Sequence, residues 1–255
     1  MPAGLFPYRD LVSELVKREL RVRYRRSLIG FAWTMLQPLL MMLVLQVAFS
    51  SIFRFDLYNY PVYVLSGLLF WNFFSQSILT SMNSLRNNSR LIQKLPVPKS
   101  VFPLSVVISG VINLGLALVP LFGLLLVTGH PLGPSLLFLP VSVAIAMIFT
   151  IGAGLLLAPL SVFFFDVVEL VGVALQLLMF LTPIMYPMSI VPADYEWMVR
   201  YNPLRSILEV FRDPIYHSKV PPLSHLSVAL GLALVVLAVG IFAFRRTSRR
   251  INLYL

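Results

Sequence analysis

One uncharged stretch decides the fold of this chain: SVFPLSVVISGVINLGLALVPLFGLLLVTGHPLGPSLLFLPVSVAIAMIFTIGAGLLLAPLSVFFF (Ser100–Phe165). It contains no Asp, Glu, Lys or Arg. A helix that crosses a lipid bilayer needs about 20 mostly apolar residues, so this stretch is too long for one crossing and suits two. The turn between the two helices is expected at Gly129–Pro134, which consists mostly of Gly and Pro.

The composition of the whole chain points to the same class of protein. Of its 255 residues, 58% are hydrophobic and 12% are charged, whereas soluble domains carry about 25% charged residues. The apolar excess must therefore face lipid. The chain has no cysteine, which excludes a disulfide framework and a thiolate metal site. The net charge of +10 lies mainly in loops and at the ends, so it indicates membrane topology rather than binding to nucleic acid.

Outward from the central stretch, the pattern predicts an all-α integral membrane protein with six transmembrane helices. Residues 1–255 are expected to form a single transmembrane domain. The expected spans are 28–53, 62–84, 101–128, 136–165, 170–186 and 226–244. The other expected segments are an interfacial helix at 6–27, a basic connector at 86–99 and a polar, aromatic outer segment at 187–222.

The distribution of Lys and Arg predicts that both termini are cytoplasmic. With the N-terminus inside, the N-terminal segment, the connector and the C-terminal tail hold 15 of the 20 Lys and Arg residues. Basic residues are enriched in cytoplasmic loops, so this asymmetry favours an even number of spans. Asp166 and Glu169 are expected to mark the start of the fifth helix, where the helix dipole favours acids, rather than a catalytic pair.

The N-terminal segment has the pattern of an amphipathic helix. Its apolar face is expected to contain Leu11, Val12, Leu15, Val16 and Val22. Such a helix lies in the headgroup layer, attracted by anionic lipid. The arginines expected to contact lipid phosphates are Arg18, Arg21, Arg25 and Arg26. The alternative is a plain basic anchor before the first span.

The outer segment contains a second amphipathic helix. Asn202 is the expected N-cap and Pro203 the first helical residue. Apolar residues then recur at helical spacing, at Leu204, Ile207, Leu208, Phe211 and Ile215. This helix is too short and too charged to span, so it is expected either to lie on the membrane or to dip in beside the fifth span.

Several kinds of chemistry are missing from the sequence. It has no GxxxxGK[ST] phosphate loop, so the chain is not expected to hydrolyse nucleotide, and it has no HExxH motif. Its three histidines (His130, His217 and His225) are scattered in or near outer loops, so no metal site is expected. No charged residue lies near the middle of a span, which argues against ion-coupled transport.

Uncharged polar residues do occur inside the expected spans. They are Gln37, Gln46, Asn72, Gln76, Asn113 and Gln176. Either they hydrogen-bond between helices or they line a hydrophilic path. The residues expected to line such a path are Gln37, Gln46, Asn72, Gln76, Gln176 and Tyr186.

Aromatic residues are dense around the first outer loop and in the second span. They include Tyr58, Tyr60, Tyr63, Phe70, Trp71, Phe73 and Phe74. Either they form the aromatic belt found at membrane interfaces or they provide a surface on which sugar rings stack.

Three blocks of sequence resemble a known family. They are ELVKRELRVRYRRSLIGFAWTMLQPLL (Glu14–Leu40), SRLIQKLPVPKSVFPLS (Ser89–Ser105) and FFFDVVELVGVALQLLMFLTPIMYPMSIVPADYEWMVRYNPLRSILEVFRDPIYH (Phe163–His217). In order and content they are similar to type-2 ABC export permeases of the polysaccharide class, the Wzm and TagG group.

The resemblance implies a function and a set of partners. Two copies would form a channel in the bacterial inner membrane, and a separate pair of ATPase subunits would bind from the cytoplasm. The complex would export a polyprenyl-linked glycan such as O-antigen or teichoic acid. This chain would hold no cofactor and catalyse no reaction, because ATP and Mg would bind the partner.

The resemblance also assigns roles to segments. The connector would dock on the ATPase through Arg86, Ser89, Arg90, Leu91, Lys94 and Pro96. Its basic residues are equally consistent with lipid-phosphate contact or with ordinary cytoplasmic charge. The outer gate would contain Tyr195, Trp197, Asn202, Pro203, Phe211 and Arg212.

Two other functions remain open at this point. An ABC exporter of a drug, lipid or other small hydrophobic cargo would have the same architecture. A membrane-embedded enzyme would need clustered catalytic polar residues, which the sequence does not display.

Overall fold

The fold was analysed in a computed structural model, which describes residues 8–24, 30, 32–48, 57–94 and 96–251. Within these residues the structure is helical and contains no strand, which confirms the all-α prediction. The helices are α1 (Arg9–Tyr24), α2 (Ala32–Val47), α3 (Tyr60–Asn87), α4 (Ser89–Lys94), α5 (Val101–Val127), α6 (Leu139–Phe163), α7 (Val167–Leu181), α8 (Glu196–Arg200), α9 (Pro203–Arg212) and α10 (Leu223–Ile251). Short 3₁₀ turns occupy Pro134–Phe138, Met188–Ile190 and Ala193–Tyr195.

Four of the described helices are long and apolar enough to cross a membrane. They are α3, α5, α10 and α6 together with the 3₁₀ turn that precedes it. The helices α2 and α7 are apolar but shorter, with 16 and 15 residues. Pro38 lies inside α2, whereas the ends of the expected first span fall outside the described residues.

Two helices end at places that differ from the sequence expectation. The fifth helix was expected to reach residue 186, but α7 ends at Leu181. Pro183 explains this end, because a proline disfavours the helical conformation in the residue before it. The last helix was expected to end at 244, but α10 continues to Ile251. No Gly or Pro follows Phe244, and arginines in a last turn are favoured by the helix dipole.

The helices α6 and α10 cross in close backbone contact. This contact is made by two glycines: a Cβ added at Gly240 would lie 2.2 Å from the carbonyl oxygen of Gly152. A Cβ added at Gly152 would lie 2.5 Å from the backbone nitrogen of Leu237. Small residues allow helix backbones to approach in this way in membranes, so the crossing depends on both glycines.

One end of the bundle, which we call the basic end, collects several segments around one apolar cluster. Leu15 of α1, Leu85 of α3, Ile92 of α4, Val101 of α5 and Phe244 of α10 all belong to this cluster. The N-terminal helix, the connector and the end of the last helix therefore lie at the same end of the bundle.

The opposite end, which we call the histidine end, is organised by His130. Its Nδ1 lies 3.2 Å from Asn59 Nδ2, and its Nε2 lies 2.8 Å from the carbonyl oxygen of Tyr216. Asn59 also donates to Thr128 Oγ1 at 2.7 Å. Because the asparagine amide and the carbonyl need opposite partners, His130 accepts at Nδ1 and donates at Nε2. These bonds join the start of α3, the end of α5 and the segment after α9.

The outer helix α9 forms where the sequence predicts it. Asn202 is its N-cap, accepting a hydrogen bond from the Leu204 N–H at 3.0 Å, and Pro203 is the first helical residue. The five apolar residues of the expected face are all buried: Leu204, Ile207, Leu208, Phe211 and Ile215. The helix packs against α3, α6 and α10, so it does not lie free on the surface.

The N-terminal helix α1 packs against the start of α5. Leu15 and Val16 are buried, whereas Val22, expected on the same face, is 64% exposed. The apolar contact of α1 with the bundle is therefore made by its first three turns.

Replacing Gly240 by Ala is expected to destabilise the protein by about 1–3 kcal/mol, because the added methyl group overlaps backbone of α6 that cannot move aside cheaply. Gly231→Ala, in the same helix, is the matched control, since its Cβ would meet nothing within 4 Å. Thermal unfolding of the purified protein in detergent measures both. Equal melting temperatures for the two variants would contradict the proposed crossing.

Replacing Asn202 by Ala is expected to cost about 1–2 kcal/mol, because it removes the α9 cap. It also removes the side-chain donor to Thr182 Oγ1, 2.9 Å away. Ser206→Ala removes only a half-buried hydroxyl from the same helix. Thermal unfolding should separate the two variants, and a native melting temperature for Asn202→Ala would show that the cap does not hold α9.

Candidate functional site

A polar cavity of about 390 Å³ opens between α2, α3 and α5. It brings together three of the residues expected to line a path, Gln37, Asn72 and Gln76, and adds Asn113. Carboxamides both donate and accept hydrogen bonds, and Trp33 and Phe73 place aromatic surface beside them. This combination suits a neutral, hydroxyl-rich ligand rather than an ion.

The other three residues expected to line the path lie elsewhere. Gln46 lies near the far end of α2, half-buried. Gln176 is exposed on α7. Tyr186 follows α7, and its hydroxyl donates to the carbonyl oxygen of Phe180 at 2.6 Å. A polar residue in an apolar helix does not reveal its neighbours, so the sequence identified the residue type but not the shared cavity.

The wall of the cavity contains small and polar residues that had no place in the sequence prediction. A Cβ added at Gly110 would lie 2.4 Å from Ser77 Oγ, so α3 and α5 touch at the cavity wall. Thr34 and Ser77 also line it. Their only sequence signal is helical spacing: Ser77 follows Phe73, and Thr34 precedes Gln37, on the same helix faces.

The aromatic run of the second span is core rather than an open stacking surface. Phe70, Trp71, Phe73 and Phe74 are each at most 5% exposed. The ring centres of Phe70 and Phe74 are 6.5 Å apart, and Phe74 lies 5.7 Å from Phe149 of α6. Of the four, only Phe73 reaches the cavity.

At the basic end, the connector residues expected to dock the ATPase point in different directions. Arg90 and Lys94 are exposed on α4, as is Pro96 after it, while Ser89 and Leu91 are half-buried. The buried Ile92 anchors α4 in the apolar cluster. The exposed positions therefore form a small basic surface on a fixed support.

Arg86, at the end of α3, contacts the turn that leads into α7. Its guanidinium carbon lies 4.1 Å from the ring centre of Phe165. Asp166 follows as the N-cap residue of α7, and Glu169 lies in the first turn. Arg86 thus connects the start of the connector with the start of α7.

The basic residues of α1 are only partly available to lipid. Arg18 donates to Asn88 Oδ1 at 2.5 Å, and Asn88 in turn donates to the carbonyl oxygen of Ser84 at 2.7 Å. Arg18 therefore ties α1 to the junction of α3 and α4. Arg21 is exposed, and Arg25 and Arg26 lie outside the described residues.

Lys99 closes the basic end against α10. Its Nζ donates to the carbonyl oxygen of Ser248 at 2.5 Å. Burial lowers the pKa of Lys99 from its usual value. This contact holds the end of the connector to the last helix.

The residues expected to form the outer gate divide into two groups. Tyr195 and Trp197 are exposed by 60% and 59%. Asn202, Phe211 and Arg212 are buried, with at most 6% exposed, and Pro203 is exposed at the first position of α9. The first group is available for contact, and the second is built into the bundle.

The chain after α7, Thr182–Tyr186, leaves the helical conformation and is called the break segment here. Side chains satisfy its carbonyl oxygens. The Tyr60 hydroxyl donates to the carbonyl oxygen of Met185 at 2.9 Å, and the Tyr63 hydroxyl donates to the carbonyl oxygen of Tyr186 at 2.8 Å. Asn202 donates to Leu181, the last residue of α7, at 3.2 Å.

Beyond α9, Asp213 and His217 lie close together without a strong charge pair. The carboxylate Oδ1 and the ring Nε2 are 4.0 Å apart. Burial is the main cause that raises the pKa of Asp213, and the nearby Glu209 carboxylate raises it further. Burial is the main cause that lowers the pKa of His217, and the positive charge of Arg212 lowers it further. Both shifts favour the neutral forms.

Comparison with known proteins agrees with this architecture. Residues 10–216 match the family described as ABC-2 type transporter. The O-antigen export system permease protein RfbA of Myxococcus xanthus is 34% identical over 250 residues, which cover 95% of each chain. A Klebsiella pneumoniae protein of the same name is 28% identical over 244 residues, covering 94% of this chain and 93% of its own.

A third relative is the polysialic acid transport protein KpsM of Escherichia coli. It is 26% identical over 244 residues, which cover 92% of each chain. The similarity to these proteins confirms the resemblance noted in the sequence. Because the family match covers most of the chain and the 34% identity extends over nearly all of it, this protein belongs to the ABC-2 type transporter family.

Proposed function

We propose that this protein is the membrane subunit of an ATP-driven exporter of lipid-linked polysaccharide in a bacterial inner membrane. The observation that carries the proposal is the similarity, over at least 92% of the chain, to proteins named for export of O-antigen and transport of polysialic acid. A separate ATPase supplies the energy, since the sequence has no phosphate loop.

The arrangement of the helices supports a proposal of six crossings with both ends cytoplasmic. In this proposal the four long helices make four crossings. The shorter apolar helices α2 and α7 belong to the other two. The helix α7 is about 22 Å long, and the break segment extends it across the remaining depth. Non-helical backbone is tolerated there only when protein groups satisfy it, as Tyr60 and Tyr63 do. The basic end then faces the cytoplasm, in agreement with the distribution of Lys and Arg.

The helix α7 supports the proposal of a dimer. Leu175 is its only buried residue, while Leu170, Val173 and Leu177 are each more than half exposed. Gln176 is exposed on the same helix, and a carboxamide in contact with lipid is costly. A second copy facing α7 would give Gln176 partners or an aqueous path. We therefore place the export channel between two copies of this chain.

The polar cavity supports a neutral glycan as cargo. Among the residues that the structure describes, its walls offer carboxamides and an aromatic edge and no charged group. A sugar can therefore exchange hydrogen bonds with water for hydrogen bonds with the protein. The cavity would hold sugar units passing along α2 and α3. A small hydrophobic cargo would gain nothing from these carboxamides.

Replacing both Asn72 and Gln76 by Leu is expected to lower the amount of glycan at the cell surface about tenfold, since two lost hydrogen bonds are worth about 0.5–1.5 kcal/mol each. Asn83→Leu is the matched control, because Asn83 lies on the same helix and donates within it to the Leu79 carbonyl oxygen. Surface glycan is measured with a lectin or antibody, normalised to permease in the membrane. Unchanged surface glycan after deletion of the gene would support the small hydrophobic cargo instead.

Reversing the charges of Arg90 and Lys94 to Glu is expected to reduce copurification of the partner ATPase several-fold, because the contacts that these two cations make in the proposed docking surface would be lost. The matched control is Arg245→Glu with Arg250→Glu, which reverses two exposed charges at the same end of the bundle. If both pairs have equal effects, the charges serve topology only. Undiminished surface glycan in Arg90→Glu/Lys94→Glu cells would contradict the coupling role of α4.

A further inference from the structure

Arg212 is a buried cation that forms no ion pair with a carboxylate among the described residues. Arg212 is only 4% exposed. The ion pairs of this region involve Arg200, Arg205 and His217, and none in the described part of the chain involves Arg212. A buried charge is costly unless other groups compensate it, so its surroundings must supply that compensation.

The compensation comes from the break segment and from α3. Arg212 Nη1 donates to the carbonyl oxygen of Pro183 at 2.8 Å, and Nη2 donates to that of Ile184 at 3.1 Å. The guanidinium carbon lies 3.9 Å from the ring centre of Tyr63. Backbone carbonyl oxygens carry partial negative charge and accept these bonds, and an aromatic face attracts a cation.

The space around the guanidinium is shaped for a flat group. A Cβ added at Gly67 of α3 would lie 2.4 Å from Arg212 Nη2 and 3.1 Å from the Ile184 carbonyl oxygen. Gly67 therefore leaves room for the planar head between α3 and the break segment. An ammonium group cannot make two parallel bonds and lie flat on a ring at the same time.

These contacts join three elements that are distant in sequence. Arg212 is the last residue of α9, its acceptors follow α7, and its ring partner is in the second turn of α3. At the other end of α9, Asn202 bonds Leu181 and Thr182. Both ends of α9 are thus attached to the end of α7.

The segment before α9 is attached differently. Tyr195, Trp197 and Tyr201 are each at least 59% exposed, and the ion pair Arg200–Glu196 lies within α8 itself. Between Met188 and Tyr201, Val199 is the only buried residue. The outer segment therefore consists of an exposed part before Asn202 and a largely buried part from Asn202 to Ile215.

We propose that Arg212 is a positioning residue that locks α9, the break segment and α3 into one block, to which the largely exposed residues 188–201 do not belong. This inference rests on the proposed function. During export this block holds the outer end of α7 in place. Loss of the Arg212 contacts would let the break segment open to the outside.

The test uses the absence of cysteine in the chain. Met185→Cys places a single thiol in the break segment, where Met185 is 9% exposed. A membrane-impermeant maleimide is added outside intact cells. We expect Arg212→Lys to raise the labelling rate of this thiol about tenfold, because local opening exposes it. Arg205→Lys is the matched control on the same helix, since Arg205 bonds Glu209 at 2.7 Å and is partly exposed.

Two further measurements separate positioning from general destabilisation. The Arg212→Lys complex is expected to hydrolyse ATP at the native rate per assembled complex while exporting less glycan per ATP. Tyr63→Phe keeps the ring beneath the guanidinium and removes only the hydroxyl donor. It therefore provides a second test of the block if the Arg212→Lys protein does not accumulate in the membrane. We expect it to raise labelling about threefold.

The inference is overturned if Arg212→Lys and Tyr63→Phe both label at the native rate, or if Arg205→Lys labels as fast as Arg212→Lys. Native glycan export per ATP in Arg212→Lys would also overturn it. The labelling assay needs no knowledge of the cargo. Unchanged surface glycan after gene deletion would therefore reject the proposed function while leaving the Arg212 result valid.

Discussion

Every backbone N–H and C=O at membrane depth must find a partner inside the protein, because hydrocarbon offers none. The long helices meet this requirement with their own hydrogen bonds. The break segment cannot, because Pro183 interrupts the helix there. Its carbonyl oxygens are bonded instead by Tyr60, Tyr63 and Arg212, and the positions of those donors tie α3 and α9 to the end of α7. One proline thus determines how three elements are joined.

Contacts between elements that are distant in sequence also hold the two ends of the bundle together. At the basic end, α1, α4 and α10 share one apolar cluster, so a force applied to the connector acts on a body rather than on a loop. At the histidine end, His130 accepts from Asn59 and donates to Tyr216. Between the ends, α3 is the continuous element, since it holds Leu85 in one cluster and Tyr60 near the other end. The weakly packed α7 contacts α3 but leaves most of its side chains unburied, in agreement with the proposed channel beside it.

Local patterns predicted the elements whose signals are local. The N-cap at Asn202 and the buried face of α9 were correct because capping and helical periodicity depend on residues within a few positions of each other. The polar cavity was only half predicted: Gln37, Asn72 and Gln76 meet in it, whereas Gln176 and Tyr186 do not. A polar side chain in a span indicates that it needs a partner, but not which helix provides it. For the same reason, the aromatic run around Phe74 did not reveal whether it faces a path or the core.

By itself, the sequence determined the all-helical class, the order of apolar helices, the positions of the basic segments and the family. These properties follow from hydropathy, charge and short motifs, each of which is a property of consecutive residues. Tertiary contacts were needed to show how the break segment after α7 is held, which carbonyl oxygens Arg212 bonds, and that Gly152 meets Gly240. Those facts depend on atoms far apart in the chain, and a partner brought within 3 Å by packing leaves no periodic trace in the sequence.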